Sequence, residues 1–101
     1  MLNSISLVGK IVKNVYHVEN MAFIDIEVKR LFPEEIGKEK FDVFSIALWK
    51  GLEDMMSDVT QIGMIIAVRG RLIANKFTMA NYDFKEVIIY GELIEILNKY
   101  F

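Results

Sequence analysis

Phe41-Asp42-Val43-Phe44-Ser45-Ile46-Ala47-Leu48-Trp49-Lys50-Gly51-Leu52-Glu53-Asp54-Met55-Met56-Ser57-Asp58-Val59-Thr60 changes its apolar period part-way along. Up to Trp49 the period is two. Phe44, Ile46 and Leu48 predict the core face of a strand, and Phe41, Val43, Ser45, Ala47 and Trp49 its open face. From Gly51 the apolar residues Leu52, Met55, Met56 and Val59 fall three and four apart, which predicts a short helix with one apolar stripe. The open face of the strand ends in the only tryptophan, beside Lys50. A large π-surface there is costly to leave wet, so it is expected either to pack under a loop or to meet a flat partner such as a nucleobase.

Outward from this junction the chain reads as strands. Leu2 to about Tyr16 carries Ile5, Leu7 and Ile11 in alternation, with Gly9 marking a bulge or bend. His17 to Asn20 predicts a hairpin connection. Met21 to Leu31 alternates Ala22, Ile24, Ile26 and Val28 inward against Phe23, Asp25, Glu27 and Lys29 outward. Pro33 to Lys38 is a polar turn with breakers at both ends. After Gly63, the residues Met64, Ile66, Val68 and Leu72 predict another strand, with Arg69 and Arg71 pointing outward around Gly70. Asn75 to about Lys85 is a hairpin region, and Phe84 to Leu97 the last strand. Three strands, one helix and two strands is the layout of the OB-fold, a five-stranded Greek-key barrel whose helix plugs the barrel bottom between strands three and four. An SH3-like barrel shares most of these signals. The whole of 1–101 is expected to be one all-β domain.

Composition narrows the function. With 101 residues, 53% apolar and 26% charged, the chain suits one packed core. No apolar run approaches the roughly 18 residues that span a bilayer. Met1 to Ile5 lacks the features of a secretory signal, so no membrane role is expected. The absence of cysteine removes disulfides and thiolate chemistry and agrees with a reducing cytoplasm. Enzymatic readings have little to stand on. His17 is the only histidine, Glu34 and Glu35 are adjacent turn residues, and Gly37-Lys38 lacks the glycine-rich loop of a phosphate cradle. No cofactor or metal is expected. A net charge of −2 counts against a dedicated polyanion binder, so nucleic-acid binding would rest on local clustering and on stacking.

Four motifs in register resemble the bacterial single-stranded DNA-binding protein family. Met1-Leu2-Asn3-Ser4-Ile5-Ser6-Leu7-Val8-Gly9-Lys10 is similar to its N-terminal strand, and Val28-Lys29-Arg30-Leu31-Phe32 to the end of its second. Ala47-Leu48-Trp49-Lys50 matches the end of its third, and Val68-Arg69-Gly70-Arg71-Leu72 its glycine-centred fourth. The resemblance runs from Met1 to Leu97. It implies sequence-independent binding of single-stranded DNA, with RNA not excluded, in replication, repair and recombination near the nucleoid. Phe32, Trp49 and Phe77 fall on the family's stacking positions, while Val43 stands where a fourth aromatic is usual. Lys10, Arg30, Lys50, Arg69, Arg71 and Lys76 are the implied basic contacts, with Lys29 a weaker candidate. Asp25 and Glu27, on the outward face of strand two, would repel phosphate. The resemblance also implies a homo-oligomer, a dimer or a tetramer. Apolar residues in excess of one barrel's core, among them Val87, Leu93 and Leu97, agree with that. The family's acidic tail is not expected: Asn98-Lys99-Tyr100-Phe101 has no acidic run before its phenylalanine, so Phe101 is read as coincidental. This suits a short member such as the tailless primosomal replication protein. The alternative is therefore an OB adaptor in a primosome-type assembly, with DNA or RNA binding secondary.

Overall fold

The computed structural model describes residues 1–32 and 35–98. It contains strands β1 (Ile5–Val18), β2 (Met21–Lys29) and β3 (Phe41–Leu48), helix α1 (Lys50–Val59), and strands β4 (Ile65–Met79) and β5 (Tyr82–Asn98). The strands close into a barrel in the order β1-β2-β3-β5-β4, with β3 and β5 parallel and the remaining pairs antiparallel. This is the OB-fold arrangement, helix between the third and fourth strands included. No described helix is long and apolar enough to cross a membrane. Pro33, Glu34 and the terminal Lys99, Tyr100 and Phe101 lie outside the described residues.

The core gathers the inward-facing residues that the alternation assigned. Ile11, Ile24, Ile26, Ile46, Met56 and Ile66 are fully buried, with Leu48, Leu52, Met64, Val68 and Ile94 around them. Helix α1 closes one end through Leu52 and Met56. Met55 and Val59, the other half of the expected stripe, are exposed. A helix that meets a barrel end-on needs only a narrow apolar seam, unlike one lying along a sheet. Asn14 Nδ2 donates to the Thr60 carbonyl at 3.0 Å and ties the helix end to β1, and His17 meets Glu53 across the same junction.

Several boundaries differ from expectation. β1 continues through His17, and its hairpin to β2 is only Glu19 and Asn20, with Glu19 at φ 55. The hairpin expected over 75–85 is present and fully paired: β4 and β5 run together out to Met79 and Tyr82, joined by Ala80 and Asn81 at φ 51 and 66. Positive φ at both central residues is the signature of a type I′ turn, whose twist matches that of the flanking strands. Leu72, expected inside, is 43% exposed, because past Gly70 the ribbon leaves the barrel. Ala47, expected on the open face, is buried between Phe23 and Tyr90, its register partners on β2 and β5.

Gly9 is not a bulge. The register shifts of β1 lie further on, between Ile11 and Lys13 and between Lys13 and Tyr16. At Gly9 the strands approach so closely that a Cβ would come within 2.6 Å of the Glu27 carbonyl oxygen. At Gly70 a Cβ would come within 2.1 Å of the Tyr90 oxygen. Both contacts are to backbone, which cannot rotate away. Gly70→Ala should therefore destabilise the fold by about 1–3 kcal/mol or more, read as a lower urea midpoint at unchanged m-value with Trp49 fluorescence as the probe.

Candidate nucleic-acid interface

The outer surface of the barrel carries one continuous row of large side chains, placed there by irregularities in β1. Lys10 faces Glu27 across the β1–β2 ladder, Lys13 faces Asp25, and Tyr16 faces Phe23. Three β1 residues spaced by three share one face only because a register shift separates each from the next, each shift resetting the pleat by one position. Strict alternation along β1 places Lys10 and Tyr16 outward but Lys13 inward, so of these residues Lys13 is the one whose place on this face the sequence hides, while Phe23 faces outward as alternation along β2 predicts. From Phe23 the row crosses β3 at Ala47 and β5 at Tyr90 and reaches Arg71 on β4. Arg71 lies over the Tyr90 ring at 5.2 Å, and Lys13 over the Tyr16 ring at 4.0 Å. Tyr16 and Phe23 stack, with centroids 5.8 Å apart.

This register also answers the carboxylate objection. Asp25 and Glu27 each stand directly opposite a lysine, and Asp25 accepts the Tyr16 hydroxyl hydrogen bond at 2.7 Å. Each thus has a cation in the facing position, with no ion pair between Lys10 and Glu27 or between Lys13 and Asp25.

The anticipated stacking residues are spread along the barrel. Trp49 sits where β3 hands over to α1 and is 46% exposed, and the six-membered half of its ring rests on Gly51. Phe32, 83% exposed, follows β2 at the far end. The β2–β3 ladder between them runs eight residues, from Ala22 to Lys29, and its seven steps span roughly 24 Å at about 3.4 Å per residue. Phe77 lies on the protruding β4–β5 ribbon, on the same face as Tyr90 and Arg71, and is stacked on Phe84 at 5.5 Å. Phe84, seen in the sequence only as a hairpin residue, thus doubles that platform. Val43 is exposed on β3 opposite Glu27.

The basic candidates divide. Arg30 is held by Asp42 through two hydrogen bonds of 2.8 and 2.9 Å, and Lys50 by Asp54 at 3.1 Å and Glu53 at 3.8 Å. The Arg30 guanidinium keeps the Asp42 carboxyl below its usual range, and the hydrogen bond that Lys50 donates to Asp54 raises the Lys50 pKa. Lys29 pairs with Glu39 at 2.7 Å. Among the described residues no carboxylate forms an ion pair with Lys10, Arg69, Arg71 or Lys76. Arg69 lies round the barrel between Ser6 and Leu93, away from the aromatic row. Lys76 occupies the opposite face of the ribbon from Phe77, directly across from Lys85. Among the described residues no cluster of His, Cys, Asp or Glu is arranged to hold a metal ion.

The barrel can be set beside solved structures. The Plasmodium falciparum SSB complex with ssDNA superposes with a TM-score of 0.73 at 17% identity, covering 97% of this chain and 96% of that one. The mitochondrial single-stranded DNA binding protein Rim1 of S. cerevisiae gives 0.70 at 13%, covering 96% and 97%. The wild-type single-stranded DNA binding protein of Thermus aquaticus gives 0.71 at 23%, covering 97% of this chain and 51% of its own. This is the fold of the single-stranded DNA-binding proteins. No family model and no curated protein matches the sequence. The likeness to these proteins is carried by the backbone: five strands, one helix and a protruding β4–β5 ribbon, over nearly the whole chain.

Burial pushes the Tyr16 hydroxyl above its ordinary 10.0; the Ser45 hydrogen bond opposes this and the one to Asp25 adds to it. A raised tyrosine pKa favours the neutral form in the folded state. The stability it contributes is full below the unfolded pKa of about 10 and is lost as pH climbs through the folded value. Tyr16→Phe should remove one component of the tyrosinate absorbance titration above pH 10 and flatten the alkaline loss of stability.

Proposed function

We propose that the chain is a short member of the single-stranded DNA-binding protein family, acting without catalysis to hold unpaired DNA during replication, repair or recombination in the cytoplasm. The observation that carries the reading is Trp49: its ring rests on Gly51, nearly half its surface is open to water, and it directly follows β3, whose outer row also leads to Tyr90 and Arg71. Base stacking on such a ring is sequence-tolerant, since every base has a π-face, and contributes about 1–3 kcal/mol per base. Phe32 and the Phe77–Phe84 pair supply further platforms, and Arg71, Lys10 and Lys76 phosphate contacts. Arg30 and Lys50 contribute less, because each would have to leave a carboxylate.

Titration with oligo-dT should quench Trp49 to saturation and weaken with salt, with a log–log slope near 0.7 per phosphate neutralised. Trp49→Ala should weaken binding by about 5- to 150-fold, the equivalent of one stacked base. Absence of both quenching and a mobility shift at low salt would overturn the reading. Matched RNA oligomers belong in the same experiment, because stacking does not sense the 2′-hydroxyl.

We further propose a homo-oligomer. Val8, Leu93 and Leu97 are each more than half exposed on the outer surface of β1 and β5, around the shared neighbour β4. That apolar surface also favours the second reading, an adaptor that engages another protein. Sedimentation without DNA should give a mass above 11.7 kDa; a partner protein retained after nuclease treatment would favour the adaptor.

A further inference from the structure

We propose that Tyr16 and Phe23 form an additional base-stacking platform on the β1–β2 side of the barrel, with Lys13 lying over the Tyr16 ring where a base would go. This rests on the single-strand-binding reading above and extends it to residues outside the stacking positions implied by the resemblance.

Three independent features support it. First, the Tyr16 hydroxyl reaches past β2 towards β3: it donates to Asp25 Oδ1 at 2.7 Å and lies 3.3 Å from Ser45 Oγ. Adjacent strands stand about 4.8 Å apart, so a side chain rooted on β1 can reach a β3 hydroxyl only by lying down across the sheet. The ring thus presents one face away from the barrel. Second, the Lys13 ammonium sits 4.0 Å from the ring centroid. A hydrated cation on a ring face marks that face as reachable from water, and the contact is weak enough at such a site to yield to a better partner. Third, two register shifts in one strand are needed to bring Lys10, Lys13 and Tyr16 to the outside. Bulges of this kind re-aim side chains next to functional surfaces.

The occupant follows from charge and shape. A flat ring pair with Lys13 beside it suits a flat group tethered to an anion, which describes a nucleotide. As a base settles on Tyr16, Lys13 moves aside onto the adjoining phosphate. The platform also makes good the missing aromatic at Val43, since Phe23 lies on the same outer face one strand away.

The test places the reporter on the platform. In a Trp49→Phe, Phe23→Trp variant the only indole stands at position 23. Oligo-dT should quench it over the same concentration range that quenches Trp49 in the unmodified protein. In the otherwise unchanged protein, Phe23→Leu keeps apolar bulk but removes the ring, and should weaken binding about 5- to 150-fold. Lys13→Ala should lower the salt slope by about 0.7. If Trp49 of the unmodified protein is quenched while the indole at position 23 is not, or if Phe23→Leu binds unchanged, the platform is refuted and the single-strand reading stands. If neither indole responds and no complex forms, that reading fails and the platform with it. Should the double variant fail to fold, photocross-linking of 5-bromodeoxyuridine oligomers to the unmodified protein decides: adducts on Tyr16 or Phe23 support the platform, and adducts confined to Trp49 refute it.

Discussion

One strand has to pair with two neighbours at once. β1 gives Ile5 to Lys10 to β4 and Lys10 to Val18 to β2, and the handover at Lys10 shuts the barrel. A strand serving two edges must bend sharply, and the bend determines much else. Gly9 is bare because the strands close to backbone contact there. Immediately after the bend β1 shifts register twice, and its outward residues follow a spacing of three. Asn14, within the second shift, secures the helix end, so the plug of the barrel hangs from the same irregular stretch.

This geometry reconciles an acidic protein with the anionic ligand proposed for it. Net charge is −2, yet on the outer face Asp25 and Glu27 are set opposite lysines, and Glu39, Asp42, Glu53 and Asp54 pair with Lys29, Arg30 and Lys50. What bears on a passing strand is the local field within about 8–10 Å at physiological salt, more than the sum over the chain. A ring at a strand end, another just past a strand and a stacked pair on a ribbon are an arrangement that would suit an extended, flexible polymer.

Much of the fold was legible in the sequence, because burial enforces period two wherever a strand has one wet side. Ile24, Ile26, Ile46 and Ile66 were assigned to the core by alternation alone, and the change of period at Gly51 located the helix. The reading failed where the pleat is interrupted or the barrel left behind. Met55 and Val59 were counted into a stripe that an end-on helix does not need, and Leu72 was placed inside a barrel that the ribbon had already left. Phe23 faces outward as alternation along β2 predicts, but its stacking on Tyr16 and the outward turn of Lys13 stayed hidden because nothing local in β1 announces a register shift. Of the residues implied by resemblance, Trp49 and Phe32 stand in the open as expected, whereas Arg30 and Lys50 proved to be engaged with carboxylates, a pairing that depends on contacts across a turn and along a helix.

The β4–β5 ribbon is two-sided: aromatic where Phe77 meets Phe84, cationic where Lys76 meets Lys85. Like charges set opposite each other strain a two-stranded ribbon, and the stacked rings behind them counter that strain. Ionic strength therefore pulls on this arm in opposing senses: counterions ease the internal repulsion and stiffen it, while shielding it from the polyanion it would grip. A phosphate chain laid along that face would act there as salt does, adding its counter-charge to the one that Asp83 already provides beside the two lysines.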